Sequence, residues 1–154
     1  MILAQEEYVT HPKVLPSEGK NILIVDDDKM ILRLLSHALG KRMNGCTVLA
    51  AENGKEAVDI LKAHQIALVL TDLKMPEMDG YQLLAYVREK YRFIPVCVMT
   101  ADDSPDVGTR LRSLGAAFCI GKPFEVQDLL NEISDTLAVS QKNSNTQPAR
   151  QYSV

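Results

Sequence analysis

Apolar residues fall along this chain in short dense runs, each followed by a longer segment with helical spacing. The first run, Asn21-Ile22-Leu23-Ile24-Val25, is unbroken, which predicts a strand buried on both faces. After Asp26-Asp27-Asp28, the residues Met30, Ile31, Leu34, Leu35, Ala38 and Leu39 are placed on one face of a helix that has ended by Asn44-Gly45. Cys46 to Ala51 predicts a second strand. Asn53 with Glu56 three residues on predicts a capped helix whose inner face is Ala57, Val58 and Leu61. Ile66 to Thr71 predicts a third strand, and a helix from about Asp79 to Lys90 turns Leu83, Leu84 and Val87 inward. Ile94 to Met99 is the fourth strand. Ser104-Pro105 then reads as an N-cap with proline at the first helical position, with Val107, Leu111 and Leu114 sharing a face. Ala117 to Ile120 is a short fifth strand. The last helix runs from about Phe124 to Val139, with Val126, Leu129, Leu130, Ile133 and Leu137 inward.

Strict alternation of five strands and five helices predicts an α/β domain: a doubly wound five-stranded parallel sheet with right-handed crossovers and helices on both faces. Its span is residues 20–139. Residues 1–19 mix prolines, glycine and charges without a period and read as a flexible N-terminal extension. Residues 140–154, rich in Asn, Gln and Ser, read as a disordered polar tail or the start of a linker.

Composition narrows the function. The chain has 154 residues, 46% of them hydrophobic and 24% charged, with a net charge of −3 and no basic block, so direct nucleic-acid binding lacks electrostatic support. No apolar run approaches the ~20 residues of a membrane span. Cys46, Cys97 and Cys119 lie in or beside strand-like runs without metal-ligand spacing; they read as buried reduced thiols and suggest a cytoplasmic setting.

The chemistry concentrates at Leu68-Val69-Leu70-Thr71-Asp72-Leu73-Lys74-Met75-Pro76-Glu77-Met78-Asp79-Gly80. Asp72 stands where a buried strand runs out, a costly place for a carboxylate without a cation or hydrogen-bond donors. In such sheets ligands bind beyond the carboxyl ends of the strands. In a 2-1-3-4-5 strand order, the exits into Asp26-Asp27, Asp72, Thr100 and Lys122 line one crevice. Three close carboxylates repel one another but suit a hard cation such as Mg²⁺, which takes oxygen ligands and is usually shared with a phosphate. A carboxylate such as Asp72 can attack phosphorus, while Lys122 and the Thr100 hydroxyl stabilise the transferring group. Taken singly, the residues have blander readings: the Asp26–Asp28 run as helix caps, which suffices for Asp28, Thr100 as a turn hydroxyl, Lys122 as a solvated lysine. His11, His37 and His64 are scattered, and Asp102 and Asp103 read as solvated loop acids.

Four motifs in order, Ile24-Val25-Asp26-Asp27-Asp28, Thr71-Asp72-Leu73-Lys74-Met75-Pro76 with Asp79-Gly80, Met99-Thr100-Ala101 and Lys122-Pro123-Phe124, resemble a response-regulator receiver domain of two-component signalling. The resemblance covers about Lys20 to Val139 and implies the flavodoxin-like (βα)5 fold of chemotaxis regulators, in strand order 2-1-3-4-5. It implies that Asp72 is the phosphoacceptor and that Asp26, Asp27 and Asp72 bind Mg²⁺ with the backbone carbonyl of Lys74. It further implies that Thr100 and Lys122 contact the phosphoryl group and that the Lys122–Pro123 bond is cis. The donor would be a phosphohistidine on a sensor histidine kinase or histidine phosphotransfer protein. The output would be a changed surface on the fourth helix, fifth strand and fifth helix, with Arg110 and Arg112 as candidates, offered to a downstream protein or to a second copy in a phosphorylation-linked homodimer. Such a domain is no enzyme beyond its own phosphorylation and dephosphorylation, and as given the chain reads as stand-alone.

One position departs from the family. Receivers usually carry Tyr or Phe three residues before the lysine, where this chain has Cys119; Phe118, one residue earlier, is expected to face the other side of its strand. Coupling through backbone shifts after Thr100 is then expected instead of a swinging ring. Two other functions fit less well. A haloacid-dehalogenase-like phosphatase would use Asp26-x-Asp28, but Met30 stands where its signature has Thr or Val. A flavin-binding module of the same winding would place its phosphate against three aspartates.

Overall fold

The structure is a computed structural model that describes residues 21–43, 46–102 and 104–152. The expected N-terminal extension, the turn at Asn44-Gly45 and Asp103 lie outside the described residues. Five strands, β1 (Asn21–Val25), β2 (Thr47–Ala51), β3 (Ile66–Asp72), β4 (Val96–Thr100) and β5 (Phe118–Gly121), form one parallel sheet in the order β2-β1-β3-β4-β5. They alternate with α1 (Lys29–Arg42), α2 (Gly54–Ala63), α3 (Gly80–Lys90), α4 (Pro105–Ser113) and α5 (Val126–Tyr152). This is the expected doubly wound architecture.

The strands sort as their composition dictates. β1, β3 and β4 are almost wholly buried, whereas the edge strands β2 and β5 are partly exposed. Alternation along each strand divides the core in two. Leu23, Val25, Val69 and Val98 face Ala57, Leu61, Leu83, Leu84, Val87 and Leu111 of α2, α3 and α4. Ile22, Ile24, Leu68, Leu70, Cys97 and Met99 face Leu32, Leu35, Leu39, Leu129, Ile133 and Leu137 of α1 and α5. Each Val, Leu, Ile or Met side chain fully removed from water contributes roughly 1.5–3 kcal/mol.

Three expectations need correction. Met30 and Leu34 are exposed rather than inward, at 69% and 51%, and the buried stripe of α1 is Leu32, Leu35 and Leu39. Apolar residues surround most of this helix, and the 3.6 period places 32, 35 and 39 on a common line that 30 and 34 miss. Leu114 caps the end of α4 and is 45% exposed, since its backbone has already left the helix. α5 runs on to Tyr152, past Val139, where the composition predicted an aperiodic tail. Extending a formed helix avoids the cost of a nucleus and adds one hydrogen bond per residue fixed, except at Pro148, which has no N–H to donate.

The pole opposite the strand exits is tied by Arg88 near the end of α3. Its Nη2 donates to the carbonyls of Arg92 at 2.6 Å and Ile94 at 2.7 Å, and Nη1 to that of Gly115 at 3.4 Å. Gly115 holds φ at +103°, and a Cβ there would lie 2.6 Å from Arg88 Cδ, so the turn after α4 packs directly on the arginine stem. Ala117 N–H then donates to Val96 O at 2.7 Å and enters the sheet. The three cysteines are free thiols, Cys97 buried and the others half-buried. Among the described residues no helix is long and apolar enough to cross a membrane.

Candidate functional site

Because all five strands run the same way, their last residues meet at one edge. Asp26 follows β1, and its N–H donates to Ala51 O at 3.1 Å, continuing the pairing with β2. Its carboxylate is buried; Oδ1 accepts Asp28 N–H at 2.9 Å and Oδ2 receives Lys122 Nζ at 3.1 Å. Asp28 itself caps α1, accepting from Met30 N–H at 2.9 Å and Ile31 N–H at 3.4 Å, the role its position predicts. Asp27 is exposed beside them.

Asp72 ends β3. Its Oδ1 accepts Leu73 N–H at 2.9 Å and lies 3.3 Å from Lys122 Nζ. The following loop is fixed from both sides. Leu73 N–H reaches Met99 O at 3.1 Å, and Gly80 N–H reaches Leu73 O at 2.8 Å. A Cβ on Gly80 would meet Leu73 Cα at 2.8 Å and press on the Asp72 carbonyl, so only glycine fits. Asp79 and Gln82 form a reciprocal capping box at the start of α3. Between Leu73 and Asp79, Glu77 takes a positive φ of 65°, and Met78 O accepts Gly54 N–H at 3.2 Å, joining this loop to α2. Lys74 lies in the bend two residues past Asp72, with its side chain in solvent.

Thr100 ends β4 and is buried; its Oγ1 accepts Asp102 N–H at 3.0 Å and donates to Asp102 O at 3.3 Å. Lys122 follows β5, with its N–H on Thr100 O at 2.7 Å, and the Lys122–Pro123 bond is cis. Ser104 occupies the cap position of α4 in extended backbone, but its hydroxyl makes no cap hydrogen bond. Asp102 is exposed and accepts Ser104 N–H at 3.1 Å, which holds its carboxyl below the usual carboxylate value.

Asp26, Asp27, Asp72, Thr100 and Lys122 thus lie at the exits of β1, β3, β4 and β5, along one edge of the sheet. Carboxylate oxygens of Asp26, Asp27 and Asp72 fall within 4.8 Å of one another, with the Lys122 ammonium against two of them, Asp26 and Asp72. Burial pushes the Asp26 carboxyl up, and the neighbouring Asp72 charge adds to this, against the Asp28 amide and Lys122. Burial pulls the Lys122 ammonium down, yet hydrogen bonds and charge from Asp26 and Asp72 outweigh it, and the net shift is upward. An all-oxygen donor set fits a hard divalent cation, which leaves positions for water and a phosphoryl oxygen.

Phe118 packs on the α1/α5 side of the sheet and Cys119 on the side of α4, as one-residue alternation requires. Two contacts had escaped the sequence reading. The Thr100–Asp102 turn has a local signal, a threonine two residues before an aspartate at a strand end. The contact of Arg110 over the Tyr81 ring, 4.4 Å from its centroid, joins α4 to α3 and has none.

Comparison with known proteins agrees with this geometry. Residues 22–134 match the response regulator receiver domain family. The response regulator protein FleR of Pseudomonas aeruginosa is 34% identical over 113 residues, which are 73% of this chain and 24% of that protein. The chain spans about a quarter of the length of the first curated relatives it matches. A CheY-like receiver domain protein from Methanospirillum hungatei superposes with a TM-score of 0.74 at 30% identity, covering 80% of this chain and 98% of that one. The CheX–CheY–BeF3–Mg complex from Borrelia burgdorferi superposes with a TM-score of 0.71 at 27% identity, covering 76% and 88%. With its sheet order, its acidic rim and this match over most of its length, the chain belongs to the response regulator receiver domain family of two-component signalling.

Proposed function

We propose that this receiver is a phosphorylation-dependent switch with Asp72 as its phosphoacceptor. The observation that carries the reading is Lys122 Nζ, which bridges Asp26 at 3.1 Å and Asp72 at 3.3 Å beside a third carboxylate. One oxygen of Asp72 attacks phosphorus of a phosphohistidine on a sensor kinase or phosphotransfer protein. The P–N bond breaks, the imidazole leaves with its electron pair, and an acyl phosphate forms. Lys122 then turns from the Asp72 carboxylate to the phosphoryl oxygens, and the Thr100 hydroxyl exchanges Asp102 O for the same group. Asp26, Asp27 and Asp72, with the Lys74 carbonyl, are the residues that would hold Mg²⁺, which when bound offsets the anionic charge. Output runs through a protein contact, with a downstream protein or in a phosphorylation-linked homodimer.

The test is intact mass after incubation with acetyl phosphate, with and without Mg²⁺. The wild type is expected to gain one phosphoryl group only with Mg²⁺, and Asp72→Asn to gain none. Labelling that survives in Asp72→Asn overturns the assignment.

A further inference from the structure

We propose that Arg110 and Tyr81 form a clamp that holds α4 in its resting place and sets how readily this receiver switches. The proposal rests on the phosphoacceptor reading above. Three features converge on it. First, no aromatic ring from β5 faces α4: that position is Cys119, and Phe118 packs on the opposite side of the sheet. A ring that would track α4 from β5 is therefore missing among the described residues. Second, α4 is weakly fixed at its entry. Only Leu111 is buried on it, the Ser104 hydroxyl makes no cap bond, and the segment before it is held by the Thr100–Asp102 hydrogen bonds and by Ser104 N–H on the exposed Asp102 carboxylate. Third, Tyr81 is rigidly connected to the phosphoacceptor. It follows Gly80, whose N–H is bonded to Leu73 O and whose missing Cβ lets the backbone lie against Leu73.

The Arg110 guanidinium, 4.4 Å from the Tyr81 ring centroid, is within the range of a cation–π attraction. It spans from α4 to α3. The switch itself requires Thr100 Oγ1 to release the Asp102 backbone, which frees the approach to α4. The clamp is made in the arrangement where that bond is intact, so it weights the equilibrium toward rest. A phosphoryl group, or a mimic of it, binds the switched form and must work against the clamp. Tyr81 and Arg110 are positioning residues; neither touches the reacting atoms.

The experiment is beryllofluoride binding in the presence of Mg²⁺, followed by titration calorimetry on the wild type, Arg110→Gln, Tyr81→Leu and the double variant. Each single variant is expected to bind two- to fivefold more tightly, the range of a partly exposed cation–π contact. The double variant should bind no more tightly than the better single one, because both remove one contact. Arg110→Lys and Tyr81→Phe keep a cation over a ring and should stay near the wild type. Amide exchange of α4 should rise in Arg110→Gln and Tyr81→Leu without the mimic. A merely structural role would lower the unfolding midpoint and leave beryllofluoride affinity unchanged; that result, weaker binding, or additive effects would overturn the clamp. Wild-type protein that binds no beryllofluoride would overturn the phosphoacceptor reading and the clamp with it.

Discussion

α3 and α4 leave adjacent strands and cover the same face of the sheet, but they are held in opposite ways. α3 begins with a complete capping box, buries Gly80, Leu83, Leu84 and Val87, and ends on the Arg88 ties. α4 begins with a serine whose hydroxyl makes no cap bond, buries Leu111 alone and carries Gly108 within its nine residues. The first helix locks the loop that follows Asp72. The second hangs from the loop that follows Thr100. Capping and burial are thus denser on the helix after Asp72 than on the helix after Thr100, and under the proposed function the second is the side that moves.

The same substitution should therefore act with opposite signs on the two helices. Gly80→Ala drives a methyl into the backbone at Leu73 and should cost about 2 kcal/mol or more in urea unfolding. Gly108→Ala meets only Arg112 Nη2 at 3.6 Å, an ordinary contact, and should stabilise α4 by up to about 1 kcal/mol through helix propensity. Equal losses at both sites would erase the contrast. The caps make a smaller test. Asp79→Ala removes the hydrogen bond to Gln82 N–H and should cost about 1 kcal/mol, whereas Ser104→Ala should change the midpoint little.

Titration gives the least effect. The Lys122 ammonium is held above its ordinary value by Asp26 and Asp72, so its contribution is complete below pH 10.5 and is lost as pH rises through the higher folded value. Unfolding midpoints at pH 9 and at pH 11 should therefore fall more in the wild type than in Lys122→Met. Equal falls would show that the rim does not depend on this ion pair.

Much of this was legible from the residues alone. Unbroken apolar runs before Asp26, Asp72 and Thr100 announce buried parallel strands, and a carboxylate at such an exit demands partners, so the rim assembles once the winding is inferred. The Lys122–Pro123 bond is cis, as the family resemblance implied. What failed has local causes. On α1, apolar residues at 30, 31, 32, 34, 35, 38 and 39 leave the inner face undetermined, and only packing against α5 and the sheet selects Leu32 over Met30. Ser104 was correctly placed as a cap position, but a cap position does not oblige its hydroxyl to bond. The pairing of Arg110 with Tyr81 joins two helices far apart in sequence, and no period or spacing encodes it.

The Arg88 anchorage gives α4 the mechanics of a lever. Its far end is pinned, with Gly115 seated on the arginine stem and Ala117 bonded into β4, while its near end hangs on a threonine hydroxyl. A nine-residue helix is about 13 Å long, so a tilt of about 10° around that pivot sweeps the free tip through about 2 Å while the base barely moves. Under the proposed function, a rearrangement no larger than one hydroxyl changing its acceptor would become a displacement wide enough for another protein to feel.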